Sequence, residues 1–290
     1  RRLRAARHRR HRWPATAAGR RCPVSGPGGA GPDRRVRRRE GRQRGEGRQL
    51  SGPPLTGSSG VRSRVGAIVR AVIFDLDGVV VDSEIWWDEV RAAFARDHDR
   101  RWTLDDRHAV MGANSREWSE TMRRRLRLDL PATAIEAAIV DGVVARYGRE
   151  GPPTIDGAAD AVRRIAAGWP VALASSSHRR VIDAALAATG LTDVFVAVVS
   201  SDEVARGKPA PDVFLEAARR LGADPVDVIV VEGSLNGLKA ARAAGMTTVL
   251  VPNASVPPAP GWEPFADHVV ERLAALDPAV LPAVAREPVR

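Results

Sequence analysis

The chain has 290 residues, 44% of them hydrophobic, which is enough to bury one large core or two smaller ones. Its formal charge of +10 is concentrated in the first 70 residues, where 20 Arg and no Lys stand against 3 acidic residues, a balance of +17; residues 71–290 therefore carry +10 minus 17, or −7. A single cysteine, Cys22, excludes an internal disulfide and a cysteine metal cluster, and no apolar run approaches the 18 residues of a membrane-spanning helix.

Residues 1–65 form an Arg/Gly/Pro-rich leader with few aliphatic residues and no sustained period of 2 or 3.6, so disorder is expected there. It offers three functional readings: an arginine-rich nucleic-acid arm, an organelle transit peptide and a twin-arginine export signal at Arg20-Arg21. The export reading lacks its apolar segment, because Cys22-Pro23-Val24-Ser25-Gly26-Pro27 is rich in turn formers. The preference for Arg persists along the chain, where only Lys208 and Lys239 are Lys, and points to coding bias. The leader is accordingly expected to be a non-functional extension, nucleic acid to be no partner of the folded part, and the protein to be cytoplasmic, as a monomer or weak dimer.

Ala71 to Phe74 is a short apolar run suited to a buried parallel strand, and Asp75-Leu76-Asp77-Gly78 follows where the strand should stop. Two carboxylates two residues apart at a strand end suit phosphoryl transfer, since ligands of open α/β sheets bind beyond the carboxyl ends of the strands. From Ile85 to about Gly148 the sequence turns charged and helix-forming, with Trp86, Val90, Ala93 and Phe94 at helical spacing and another helix running from Pro131 towards Tyr147. Residues 148–153 read as a linker. Strands and helices then alternate: helix 158–167, strand 171–174, helix 178–188, strand 194–199, helix 211–221, strand 228–231, helix 237–244 and strand 247–251.

That alternation predicts an α/β fold with a Rossmann-like parallel sheet, in which residues 66–84 and 150–290 form the core and residues 85–149 an inserted α-helical cap domain. The crevice between them is the expected active site. Strand ends supply further candidates. Ser175-Ser176-Ser177 can donate to phosphate oxygens at a helix start or simply cap that helix. Lys208, in Arg206-Gly207-Lys208-Pro209-Ala210-Pro211-Asp212, is held by two prolines and suits neutralisation of phosphate charge. Glu232 closes the strand 228–231.

In this order the motifs resemble those of the haloacid dehalogenase superfamily, in the branch of phosphoglycolate phosphatase-like and β-phosphoglucomutase-like proteins with a helical cap. The resemblance covers roughly residues 69 to 255. It implies a phosphatase acting on a small phosphorylated metabolite through Mg²⁺ and an aspartyl-phosphate intermediate. Asp75 then resembles the nucleophile, Asp77 the general acid and base, and Ser175 with the amide of Ser176 the phosphate clamp, while Lys208 screens the anions. The implied metal ligands are Asp75, the Asp77 carbonyl and Glu232, and Arg116 in Met111-Gly112-Ala113-Asn114-Ser115-Arg116 is similar to a cap residue that meets the substrate. Trp86, Trp87, Trp102 and Trp118 are expected in the cap core. A mutase of this branch carries a histidine where Trp86-Trp87 stands, so hydrolysis is favoured over mutase activity. The chain departs from the family at Glu232-Gly233-Ser234, where Glu-Asp-Ser is usual. A lost carboxylate should cost at least about 10 to 100-fold in metal affinity or activity, which leaves open a weakened, phosphate-binding protein.

Overall fold

The computed structural model describes residues 68–281, and the expectations for the leader lie outside the described residues. Six parallel strands form one sheet: β1 (Ala71–Phe74), β2 (Val171–Ser175), β3 (Ala197–Ser200), β4 (Val228–Glu232), β5 (Thr247–Leu250) and β6 (His268–Val269), in the spatial order β3-β2-β1-β4-β5-β6. The strands are apolar without alternation because both faces are covered. Val72 and Phe74 join Leu173, Ile229, Val231 and Val249 on the face packed by α5 (Ala158–Ala166) and α6 (Arg179–Thr189). Ala71 and Ile73 join Ala172, Ala174, Val228 and Val230 on the face packed by α7 (Asp212–Leu221) and α8 (Leu235–Ala243). The strand expected over 194–199 starts later, at Ala197, because Val194 closes a turn by donating its N–H to the Leu191 carbonyl.

Connectivity makes the site. The chain steps outward through β2 and β3 on one side of β1, then returns to build β4, β5 and β6 on the other, so the topological switch lies between β1 and β4. Register pairs Phe74 with Val231 and with Leu173, which sets Asp75 beside Glu232 and Ala174 in the next row.

Between β1 and α5 the chain makes four helices, α1 (Glu84–Asp97), α2 (Leu104–Val110), α3 (Ser115–Arg125) and α4 (Ala132–Glu150). It leaves and re-enters the sheet domain at one place, where Asp82 N donates to the Pro153 carbonyl at 2.7 Å and Val81 bridges Thr154. Capping boxes at Thr103/Asp106 and Asn114/Glu117 fix the starts of α2 and α3. Trp118, Met122, Ile135, Ile139 and Val143 fill the space between the helices. The buried stripe of α1 is Trp87, Val90, Arg91, Phe94 and Ala95, which keeps Val90 and Phe94 of the expected stripe but not Trp86 or Ala93; Trp86 is half-buried under Arg146, and Trp102 is also half-buried. Among the described residues no helix is long and apolar enough to cross a membrane.

Gly157 opens α5 in the left-handed region at φ 70°, and a Cβ there would lie 2.9 Å from the Ala274 Cβ. Gly157→Ala should therefore cost about 2–3 kcal/mol, from the left-handed backbone and overpacking together. A denaturant midpoint unchanged from the parent chain would contradict this.

Candidate active site

Asp75 follows β1 and is 7% exposed, and the sheet register brings Glu232, at 0%, alongside it. Lys208 reaches between them from the loop before α7. Its Nζ donates to Asp75 Oδ1 at 2.9 Å, to Glu232 Oε1 at 2.7 Å and to the Ala174 carbonyl at 3.2 Å, which uses all three ammonium protons. Burial, reinforced by Glu232, holds the Asp75 carboxyl well above the usual range in spite of Lys208, whose own ammonium the two acids hold in the charged form. Among the described residues no donor reaches Asp75 Oδ2.

Asp77 is held on both oxygens. Ser83 Oγ and, at 3.2 Å, Trp87 Nε1 donate to Oδ1; Ser175 Oγ at 3.2 Å and Ser177 Oγ at 2.6 Å donate to Oδ2. The serine run after β2 thus turns inward. Ser175 is fully buried against Asp77 and does not line the cavity, while Ser176 Oγ donates to the Gly112 carbonyl of the insertion at 2.9 Å. Ser83, Trp87 and Ser177 were not singled out as partners of Asp77, because two of them belong to the insertion and its edge and meet Asp77 only once α1 folds back.

Asp75, Asp77, Lys208, Ser176 and Ser177 line a chamber of about 60 Å³ whose other wall comes from the insertion: Glu84, Trp87, Arg91, Trp118 and the loop 110–113. A wider cleft of about 650 Å³ shares Asp77, Glu84, Met111, Gly112 and Ser234 with it. The loop is tied to the sheet domain by Ser176, by Asn236 Nδ2 on the Met111 carbonyl at 3.2 Å, and by Asp202, which accepts from Ser115 N at 2.9 Å and Ser115 Oγ at 2.8 Å. Arg116 is not brought to the chamber. It is exposed on α3 and its charge acts on Glu136 instead.

The donor set suits a hard cation: oxygen-only ligands, an acidic cluster with one lysine, and the unengaged Asp75 Oδ2. Glu232 is less available than expected, since Oε1 faces Lys208 while Oε2 accepts from Gly233 N, Ser234 N and Ser234 Oγ. Gly233 adds no carboxylate, and a Cβ there would sit 3.3 Å from the Val251 carbonyl and 3.4 Å from that of Gly78. Glu136, His178 and Asp202 also meet, at the seam between insertion and sheet. Asp202 is occupied by Ser115, and His178 Nδ1 accepts from Arg180 N while its Nε2 lies 4.0 Å from Glu136 Oε1, beyond hydrogen-bond distance.

Residues 69–245, which carry all of these strand ends, match the haloacid dehalogenase-like hydrolase family. The chain belongs to that family. It is 32% identical over 192 residues to hexitol phosphatase B of Escherichia coli (strain K12), across 63% of this chain and 84% of that one. It is 30% identical over 204 residues to the bifunctional riboflavin kinase/FMN phosphatase of Arabidopsis thaliana, across 70% of this chain but only 53% of that protein, so it spans about half of that relative. Among solved structures it resembles CbbY from Rhodobacter sphaeroides in complex with phosphate, with a TM-score of 0.62, 25% identity, and 72% of this chain and 96% of that one covered. The haloacid dehalogenase-like fold and the enzyme class are thereby shown.

Glu84 is a pH probe of the chamber. Burial, then the charge of Asp77, pushes its carboxyl up to about 7 against the opposing Arg91. An unfolded glutamate titrates near about 4.3, so the folded chain binds this proton more tightly, and the stability it contributes is intact below that pH and lost as pH rises to about 7. Glu84→Gln removes this loss, so its melting temperature should gain on the parent's between about pH 4.5 and 7.5. A difference that is constant across that range would refute the assignment.

Proposed function

We propose that the chain is a Mg²⁺-dependent phosphatase that transfers the phosphoryl group of a small phosphorylated metabolite to Asp75 and hydrolyses the resulting aspartyl phosphate. The observation that carries this reading is the orientation of Asp75, with Oδ1 fixed by Lys208 and Oδ2 without a donor among the described residues, in a chamber shared with Asp77. Oδ2 attacks phosphorus, the ester oxygen departs, and Asp77 supplies its proton. Asp77 then takes a proton from water as that water attacks phosphorus, which frees inorganic phosphate and restores Asp75. The two serine hydroxyls on Asp77 Oδ2 can rotate, so the carboxyl can hold or release its proton without moving.

Ser176 and Ser177 line the chamber, and their hydroxyls, which here donate to the Gly112 carbonyl and to Asp77 Oδ2, would have to rotate away from those partners to meet phosphoryl oxygens, while Lys208 positions the nucleophile. When bound, Mg²⁺ would be held by Asp75 and the main-chain carbonyl of Asp77, and would supply positive charge against the phosphoryl oxygens. The helices 84–150 act as the cap that closes the chamber. Hydrolysis is favoured over a mutase reaction because Trp87, rather than a histidine, faces Asp77. A weakened, phosphate-binding role remains the second reading, favoured by Gly233.

Asp75→Asn should lower kcat on an aryl phosphate by on the order of 10³-fold, about 4 kcal/mol of transition-state stabilisation. Turnover equal to the parent's would sink the phosphatase reading. Gly233→Asp, which needs only a few tenths of an ångström of relief, should lower the Mg²⁺ concentration for half-maximal activity by about tenfold or more. An unchanged Mg²⁺ dependence would show that the missing carboxylate does not limit this enzyme.

A further inference from the structure

Arg91 sits on the buried stripe of α1, one turn beyond Trp87, and is 8% exposed. Its guanidinium carbon lies 5.0 Å from the ring centre of Trp87 and 5.2 Å from that of Trp118. Nε is buried with no hydrogen-bond partner, and among the described residues no carboxylate comes within ion-pair distance of the group. The side chain lines the same chamber as Asp75, Asp77 and Lys208. A guanidinium carries five donors in a fixed fork, and burying that charge without hydrogen bonds is costly. The two cation-π contacts offset part of this cost but supply no hydrogen-bond acceptor to the N–H groups. Among the described residues nothing completes this fork, whereas an apolar side chain of similar length would fill the same space between the tryptophans without the penalty.

We propose that Arg91 is the specificity-determining residue of the chamber, and that the substrate is a short phosphate monoester bearing a second anionic group, a carboxylate or a second phosphate, seated in its guanidinium fork. This rests on the phosphatase reading for the phosphoryl end of the chamber. The planar fork suits bidentate pairing with either group. The nucleophile and Arg91 line the same small chamber, so a short substrate can reach both. Glu84 stands beside this seat with a carboxyl that titrates at about 7, so it can take up a proton as the anion arrives and the two negative charges need not coexist.

The test is calorimetric titration of the full chain carrying Asp75→Asn, in Mg²⁺, with three probes of matched length: 3-phosphoglycerate, 1,3-propanediol bisphosphate and glycerol 3-phosphate. At least one anionic probe should bind tenfold or more tighter than glycerol 3-phosphate, and the better of the two identifies the preferred group. Adding Arg91→Met should bring that ratio within threefold, and Arg91→Lys, which keeps the charge but not the fork, should leave it between. Arg91→Met should also melt no lower than its parent, because a buried charge without partners is removed. The proposal is overturned if glycerol 3-phosphate binds as tightly as both anionic probes, if no probe binds, or if Arg91→Met retains the ratio while melting lower, which is the mark of a structural arginine. Anion preference that depends on Arg91, in a chain with no Asp75-dependent turnover of the aryl phosphate, would remove the phosphatase reading and keep the seat; the opposite pattern would do the reverse.

Discussion

The rest of the site depends on one buried ammonium. Lys208 joins the ends of β1, β2 and β4 by bonding Asp75, the Ala174 carbonyl and Glu232, and it does so across the one place in the sheet where chain direction leaves neighbouring strand ends uncovered. Register alone would set two carboxylates side by side in a region of low dielectric, where like charges repel strongly. The lysine converts that repulsion into a fixed orientation. Buried ion pairs of this kind are weak contributors to stability, since desolvation offsets most of their attraction. Their retention here is better explained by the directed Asp75 carboxylate they produce.

Much of this was legible in the sequence, for reasons that can be named. Buried parallel strands read as unbroken apolar runs, so Ala71–Phe74 and residues 228–231 are legible from their residues alone, and the acids that follow them come with them. Convergence in space was not legible. Adjacent positions on a helix lie about 100° apart, and with tryptophan at both Trp86 and Trp87 the spacing alone does not say that Trp87 takes the buried position. An arginine within an apolar stripe reads as an interruption, and Arg91 was passed over for that reason; its signal was the four-residue spacing from Trp87. Arg116 drew attention through its loop context, yet α3 turns it outward while Asp202 fixes the neighbouring Ser115. The serine run after β2 was placed correctly on its strand, but whether it pointed to ligand or to Asp77 depended on how the insertion closed.

That closure means the insertion takes part in the chemistry as well as covering it. Trp87 bonds Asp77, packs on Trp118 with ring centres 6.2 Å apart, and supports Arg91. Ser176, Asn236 and Asp202 of the sheet domain hold the loop that completes the chamber. On the proposed mechanism, a substrate that engages Arg91 would therefore also order Asp77, the proposed proton donor, through Trp87. Binding energy from the end of the substrate away from phosphorus can in this way be expressed at the reacting bond.

Charge balance gives the same direction. Asp75, Asp77, Glu84 and Glu232 stand against Lys208 and Arg91, and the upward displacement of the Asp75 and Glu84 carboxyls reflects their burial first and the neighbouring acids second. A phosphate monoester adds to the negative charge of the chamber, and a second anionic group adds to it again. Two features of this chain work against it. Gly233 leaves out a carboxylate usual in the family, and Arg91 adds a cation on the opposite wall. Each makes the chamber one charge less negative. The loss at Gly233, which looks like damage when metal binding alone is considered, becomes intelligible when the substrate brings the additional negative charge itself.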